Sequence, residues 1–313
     1  MSGLVDGRVV IVTGAGRGIG RAHALAFAAQ GAKVVVNDIG VAKDGTAVGV
    51  GSDGSATGES PGEQVVAEIV AAGGTAVVNG DDVADWDGAQ NLVRTAVDNF
   101  GGLDVLVNNA GFLRDRMLVG MSEQEWDAVI RVHLKGHFAP LRHAAAYWRA
   151  ESKAGRRVDA RIVNTSSGAG LMGSIGQGNY AAAKAGIAEM TIQAAAELKN
   201  YGVTVNAIAP AARTRMTLGA GGAMAENMAA PDSGFDAMAP ENISPLVVWL
   251  GSAESKDVTG RVFEVEGGRI TVAEGWRHGP TQDKGERWDP KEIGPVVADL
   301  LAKAEPPTPV YGA

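Results

Sequence analysis

"RVVIVTGAGRGIGRAHALAFAAQG" (8–31) is the segment on which the fold turns. "RVVIVT" (8–13) is a short β-branched run of strand type. "RAHALAFAAQG" (21–31) continues as a helix, and the turn between them, "TGAGRGIG" (13–20), is rich in glycine. A glycine turn between a strand and a helix lets the backbone approach a ligand closely. The helix N-terminus beyond it offers free N–H groups and a positive dipole end to a pyrophosphate. The usual G-x-G-x-x-G spacing counted from Gly14 requires glycine at 19, where Ile19 stands. The pattern present is T-G-x-x-x-G-x-G, with glycines at Gly14, Gly18 and Gly20 and a basic residue, Arg17, inside the turn.

Strand-type runs recur along the chain: "AKVVVND" (32–38), "TAVVNGD" (75–81), "LDVLVNN" (103–109), "ARIVNTS" (160–166), "VTVNAIA" (203–209) and "RVFEVEG" (261–267). Helical patterns separate them. Short, apolar, β-branched strands joined by such crossovers predict an α/β fold: a doubly wound, parallel, seven-stranded Rossmann sheet in one domain, residues 1–268. A Gly-, Ser- and Asp-rich insertion at 40–62 interrupts this rhythm. The segment 211–240, with Met and Ala broken by glycines, suits either a lid over a substrate pocket or a plain surface connection. After 268 the strand pattern stops. Residues 269–313 read as a C-terminal extension with one helix around 290–303 and a Pro-rich end, packed on the domain or on a subunit partner.

The 313 residues are 45 % apolar and 20 % charged, as in a globular protein with a substantial core. Cysteine is absent, which removes disulfides, thiolate catalysis and thiolate metal sites and fits a reducing, cytoplasmic setting. No metal site is expected. Neither a leader nor a membrane span is expected, because no basic stretch precedes an apolar run and no run approaches ~18 residues. The net charge of −8 argues against nucleic acid as a partner. Local arginines can still hold a small anion, since screening confines the competition to about 8 Å at physiological salt.

Ligand chemistry collects at strand ends. Asp38 closes the second strand at the place where an acid accepts hydrogen bonds from adenosine ribose hydroxyls. A carboxylate there repels the 2′-phosphate of NADP, so the expected cofactor is NAD, although Arg17 pulls the other way. Asp82 and Val83, in "GDDVAD" (80–85), are placed to flank the adenine. "NNAG" (108–111) brings Asn109, Ala110 and Gly111 to the end of the fourth strand. Any one of these can be simple turn chemistry, and their succession favours a cofactor cleft. In "NYAAAKAG" (179–186), Tyr180 and Lys184 are four apart and share a helix face.

Together, "TGAGRGIG", "NNAG" and Tyr180-x-x-x-Lys184 with Ser167 thirteen residues earlier resemble the short-chain dehydrogenase/reductase family over residues 5–268. Within it, "GFLRDRMLVGMSEQEWDAVIRVHLKGHF" (111–138), "GSIGQGNYAAAKAG" (173–186) and "IAPAARTRMT" (208–217) look most like the (3R)-hydroxyacyl-CoA dehydrogenase part of peroxisomal type 2 multifunctional enzymes and its bacterial single-domain relatives. His133 stands where the wider family usually has a relay asparagine. Pro210-Ala211 replaces the usual Pro-Gly, and the following segment is one residue short. No hydratase or sterol-carrier segment follows, so those steps are expected of separate proteins.

The resemblance implies NAD-linked oxidation of a secondary alcohol in lipid β-oxidation. Tyr180 is then the general base, Lys184 lowers its pKa and bonds the nicotinamide ribose, and Ser167 holds the substrate oxygen. Ser166 competes with Ser167 for that role. Pro210 and Thr214 fall among the cofactor contacts, with Thr214 directed at a phosphate or the carboxamide. Arg114, Arg116, Arg213 or Arg215 is expected to meet a phosphate of coenzyme A. The substrate is a fatty or steroid-like acyl-CoA and the assembly a homodimer or homotetramer. An NADPH-dependent 3-oxoacyl-carrier-protein reductase, a hydroxysteroid dehydrogenase and an NAD-sensing scaffold are the competing readings.

Overall fold

The computed structural model describes residues 3–40, 59–214, 229–231 and 233–311. Most of the expected insertion and lid, and Arg215 with them, lie outside the described residues. The order of elements is β1 (Val9–Thr13), α1 (Gly18–Ala29), β2 (Lys33–Asn37), α2 (Pro61–Ala71), β3 (Thr75–Asn79), α3 (Trp86–Phe100) and β4 (Val105–Asn108). Next come α4 (Glu123–Ile130), α5 (Gly136–Lys153), β5 (Ala160–Thr165), α6 (Gly168–Met172), α7 (Gly178–Leu198) and β6 (Val203–Ala211). The chain continues through α8 (Ser244–Leu250), β7 (Val262–Glu266), β8 (Arg269–Ala273) and α9 (Ile293–Lys303).

The sheet runs β3-β2-β1-β4-β5-β6-β7-β8, parallel from β3 to β7. Alternation along each strand builds two cores. Val10 and Val12 of β1 point with Val34 and Val36 of β2 toward Phe27, Ile69 and Val247. Val9 and Ile11 point the other way, toward Leu92, Trp148 and Leu198. Covering both faces explains why the strands read as unbroken apolar runs.

The sequence predicts seven strands ending at 268, and the sheet has eight. Beyond Gly267 (φ 54°) and Gly268, β8 folds back antiparallel onto β7 in a two-residue hairpin. A reading that seeks helix-linked parallel strands has no signal for it. "RITVA" also leaves most of its side chains exposed, as an edge strand does. The expected C-terminal helix is present as a short 3₁₀ turn, Pro290–Glu292, leading into α9. Among the described residues no helix is long and apolar enough to cross a membrane.

Candidate active site

Strand order reverses between β1 and β4, whose carboxyl ends diverge and open a crevice, the usual ligand site of such sheets. A cleft of about 1400 Å³ occupies this edge. Its floor is the glycine turn. Gly14 has φ 62°, and a Cβ there would lie 2.8 Å from Ala110 Cα. A Cβ on Gly20 would lie 2.2 Å from the Gly14 carbonyl oxygen. Gly18 also has positive φ, 54°, and Thr214 packs above it, 3.6 Å from where a Cβ would stand. Arg17 stands at the N-cap of α1 and the first turn carries no acid, so among the described residues the N-terminal N–H groups face the cleft without an acidic cap.

Asp38 ties this turn to β2. Its Oδ2 accepts the Gly16 N–H at 2.9 Å and its Oδ1 the Gly40 N–H at 2.8 Å. Asp82 Oδ1 accepts the Ala84 N–H at 2.8 Å, and its Oδ2 accepts from Arg131 at 2.6 Å. Val83 beside it is buried. Asn109 turns inward, its Nδ2 donating to the carbonyls of Thr13 and Gly14 at 3.0 and 3.3 Å. Thr13 Oγ1 accepts the N–H groups of Asn109 and Ala110. Ile19, Asp38, Asn109 and Pro210 all line the cleft, as do Gly111 and Thr214. A cradle that excludes Cβ atoms, next to the N-terminal N–H groups of α1 and an acid at the end of β2, fits a dinucleotide. Among the described residues no group of three His, Asp or Glu could hold a metal.

At the far end of the cleft, α7 presents Tyr180 and Lys184. Lys184 is 2 % exposed, and its Nζ donates to the Thr165 carbonyl at 2.6 Å. Burial lowers its pKa from 10.5 to about 7. Burial raises the Tyr180 pKa, the neighbouring Ser167 hydroxyl opposes that, and the charge of Asp115 adds to it. The sequence predicts that Lys184 brings the phenol down toward working pH; in the protein the phenol is instead raised, chiefly by burial.

Ser167 caps α6, its Oγ accepting the Ala169 N–H at 3.2 Å, and it lines the cleft. The Ser166 hydroxyl is buried and donates to the Lys184 carbonyl at 2.8 Å, a packing role. Both serines border the cleft, but the Ser166 hydroxyl is taken up by the Lys184 carbonyl, in keeping with the family spacing that favours Ser167.

His133 lies at the centre of a π-helical turn, Arg131–Lys135, between α4 and α5. Its ring stands edge-on to Tyr180 with centroids 5.2 Å apart, and Nε2 lies 2.6 Å from the Phe112 carbonyl oxygen and 3.0 Å from the Phe112 N. Burial, with the charge of Lys184 second, lowers its pKa to about 3, so the imidazole is neutral. Gly111 allows this packing, since a Cβ there would meet His133 Cε1 at 2.2 Å.

Thr13, Thr165 and Asn179 escaped the sequence reading. Asn179 donates to the carbonyls of Arg114 and Glu125 and accepts the Tyr180 N–H at 2.7 Å, which fixes the start of α7. Its place directly before the tyrosine was the available clue. Of the proposed coenzyme A arginines, Arg116 pairs with Glu125 at 3.1 Å and Arg213 with Asp236. Arg114 lines the cleft 5.0 Å over the Phe112 ring and, among the described residues, forms no salt bridge.

The family model described as short chain dehydrogenase matches residues 8–220. Hydroxyacyl-CoA dehydrogenase ChsB1 of Mycobacterium tuberculosis is 44 % identical over 312 residues, 96 % of this chain and 91 % of that protein. Peroxisomal multifunctional enzyme type 2 of Mus musculus is 43 % identical over 265 residues, 85 % of this chain, which spans 32 % of that longer enzyme. The crystal structure of a short chain dehydrogenase from Mycobacterium avium superposes with a TM-score of 0.87 at 67 % identity, covering 99 % of this chain and all of that one.

Proposed function

Because this chain belongs to the short-chain dehydrogenase family, we propose that it oxidises (3R)-hydroxyacyl-CoA thioesters to 3-oxoacyl-CoA with NAD. One observation carries the proposal: Ser167, Tyr180 and Lys184 meet at one end of a cleft whose other end is a glycine cradle beside Asp38. Arg114 supports the substrate class, as a cation in the cleft without an acidic partner among the described residues, suited to a coenzyme A phosphate. The printed names of the relatives point the same way.

Gly14, Gly18, Gly20 and the N-terminus of α1 would hold the pyrophosphate, Asp38 the adenosine ribose, and Asp82 with Val83 the adenine side. When bound, the nicotinamide supplies the hydride acceptor. Ser167 orients the carbinol oxygen and Tyr180 exchanges the proton with it. Burial opposes either charge alone, but Lys184 Nζ lies 5.5 Å from the centre of the Tyr180 ring, so Lys184 is worth most when the phenol ionises. We expect a cytoplasmic homodimer or homotetramer.

The test is NADH formation from a panel of (3R)-hydroxyacyl-CoAs, with NAD and NADP compared and Tyr180→Phe as control. Turnover with NAD that vanishes in the variant supports the reading. Turnover of hydroxysteroids alone, or a clear preference for NADP, would replace it.

A further inference from the structure

After α9 the chain turns back to the cleft. The Tyr311 N–H donates to the Gly173 carbonyl at 3.2 Å, and the Ile175 N–H donates to the Tyr311 carbonyl at 3.0 Å. These bonds form a parallel bridge between Ser174 and Tyr311. On its other side the same loop is pinned by the Arg116 N–H, which donates to the Gly176 carbonyl at 2.7 Å. The loop between α6 and α7 is thus held from both sides, with the C-terminal segment as one of its two neighbours.

Two glycines seat this segment. A Cβ on Gly168 would come 2.8 Å from Tyr311 Oη and 2.9 Å from its Cε2, so the ring lies directly over Gly168, the residue after Ser167. A Cβ on Gly173 would come 3.2 Å from Val310 Cγ1. Across the cleft, the charges of Glu264, Glu266 and Arg269 on the β7–β8 hairpin act on the Tyr311 hydroxyl. Thr308, Pro309 and Tyr311 line the cleft together with Met172 and Met238. Tyr311 remains 52 % exposed, so half of its ring is free to be covered by a ligand.

Resting on the acyl-thioester reading above, we infer that residues 308–311 form a wall of the substrate site and that Tyr311 is a specificity-determining residue for the acyl chain. Ser167 and Tyr180 fix the carbinol, and a chain that extends past Ser167 runs along the ring seated on Gly168. A long chain gains that contact and a short one ends before reaching it.

The experiment uses the full chain and compares kcat/KM for (3R)-hydroxyacyl-CoAs from four to sixteen carbons in wild type, Tyr311→Ala and Tyr311→Phe. Tyr311→Ala is expected to lower the long-to-short specificity ratio about tenfold, mostly through KM, and Tyr311→Phe to restore it. An equal loss at every chain length, or an unchanged ratio, overturns the inference. Amide exchange of the wild type without substrate provides the independent arm. Slow exchange at Tyr311 is expected, and exchange at the rate of a free peptide overturns the wall whatever the substrate. Silence of the wild type across the panel counts against the acyl-CoA reading, and the amide arm then decides the wall by itself.

Discussion

Lys184 Nζ lies 5.5 Å from the centre of the Tyr180 ring, yet its hydrogen bond goes to the Thr165 carbonyl, at the end of β5. The ammonium is therefore held under the phenol by the sheet and not by the phenol itself. Changing the charge on Tyr180 need not move Lys184, a geometry fixed before any substrate arrives.

With burial holding the Tyr180 phenol above its ordinary 10, the proton-donating form prevails at neutral pH. Ketone reduction should therefore proceed well near pH 7. Alcohol oxidation should gain as pH rises from about 7 toward 10, because it needs the deprotonated phenol. Rates in both directions across this range check the asymmetry, and Tyr180→Phe should lower both by about 10²–10⁴-fold while NADH still binds. Parallel pH profiles in the two directions would contradict the assignment.

Lys184 also ties stability to pH. Its folded pKa is about 7 and its ordinary value 10.5, so between these the unfolded chain binds a proton that the folded one does not. Unfolding free energy should then rise with pH above 7, by at most ~1.4 kcal/mol per unit. Urea titrations at pH 7, 8 and 9 should show the rise in wild type and a flatter line in Lys184→Met.

The inner strands were legible because burial on both faces forces a β-branched run such as "VVIVT", whereas β3 and β7 are partly exposed and were legible from their β-branched composition alone. The glycine turn was legible for a related reason: positive φ at Gly14 and Gly18 and the lack of room for a Cβ at Gly14 and Gly20 leave glycines in the sequence. What stayed hidden depends on contacts between distant segments. Nothing in "RVHLKG" announces a π turn that sets His133 against Tyr180. Ser166 and Ser167 follow one another directly after β5, and the groups they meet, the Lys184 carbonyl and the Tyr180 phenol, come from α7. The docking of Tyr311 rests on Gly168, 143 residues earlier in the chain, and on no local pattern at all.

Asp38 should set cofactor choice. Its two oxygens already accept the N–H groups of Gly16 and Gly40, which holds the carboxylate at the end of β2. A ribose 2′-phosphate would meet that charge at close range, so Asp38→Asn should shift the NADP-to-NAD ratio of kcat/KM upward by about 10- to 100-fold. Steady-state kinetics with each cofactor decides it. An unchanged ratio would mean that Arg17, and not Asp38, governs discrimination.

His133 fills the space that Gly111 leaves open, and its Nε2 meets the backbone of Phe112. His133→Ala should therefore cost about 2–4 kcal/mol, from a cavity and an orphaned backbone group. The same burial gives an acid signature. His133 and His23 each have a folded pKa near 3 against an ordinary 6.5, so below 6.5 the unfolded chain binds protons that the folded one refuses. Stability is fully present above that pH and is lost as pH falls. Between pH 6.5 and 5, ahead of most carboxylate titration, wild type should lose stability along a slope that His133→Asn makes shallower and His133→Asn with His23→Asn makes shallower still. Urea midpoints at four pH values in that window measure it. Identical slopes in all three proteins would show that the two imidazoles take up protons in the folded state, and that the pocket beside Tyr180 is wetter than its packing implies.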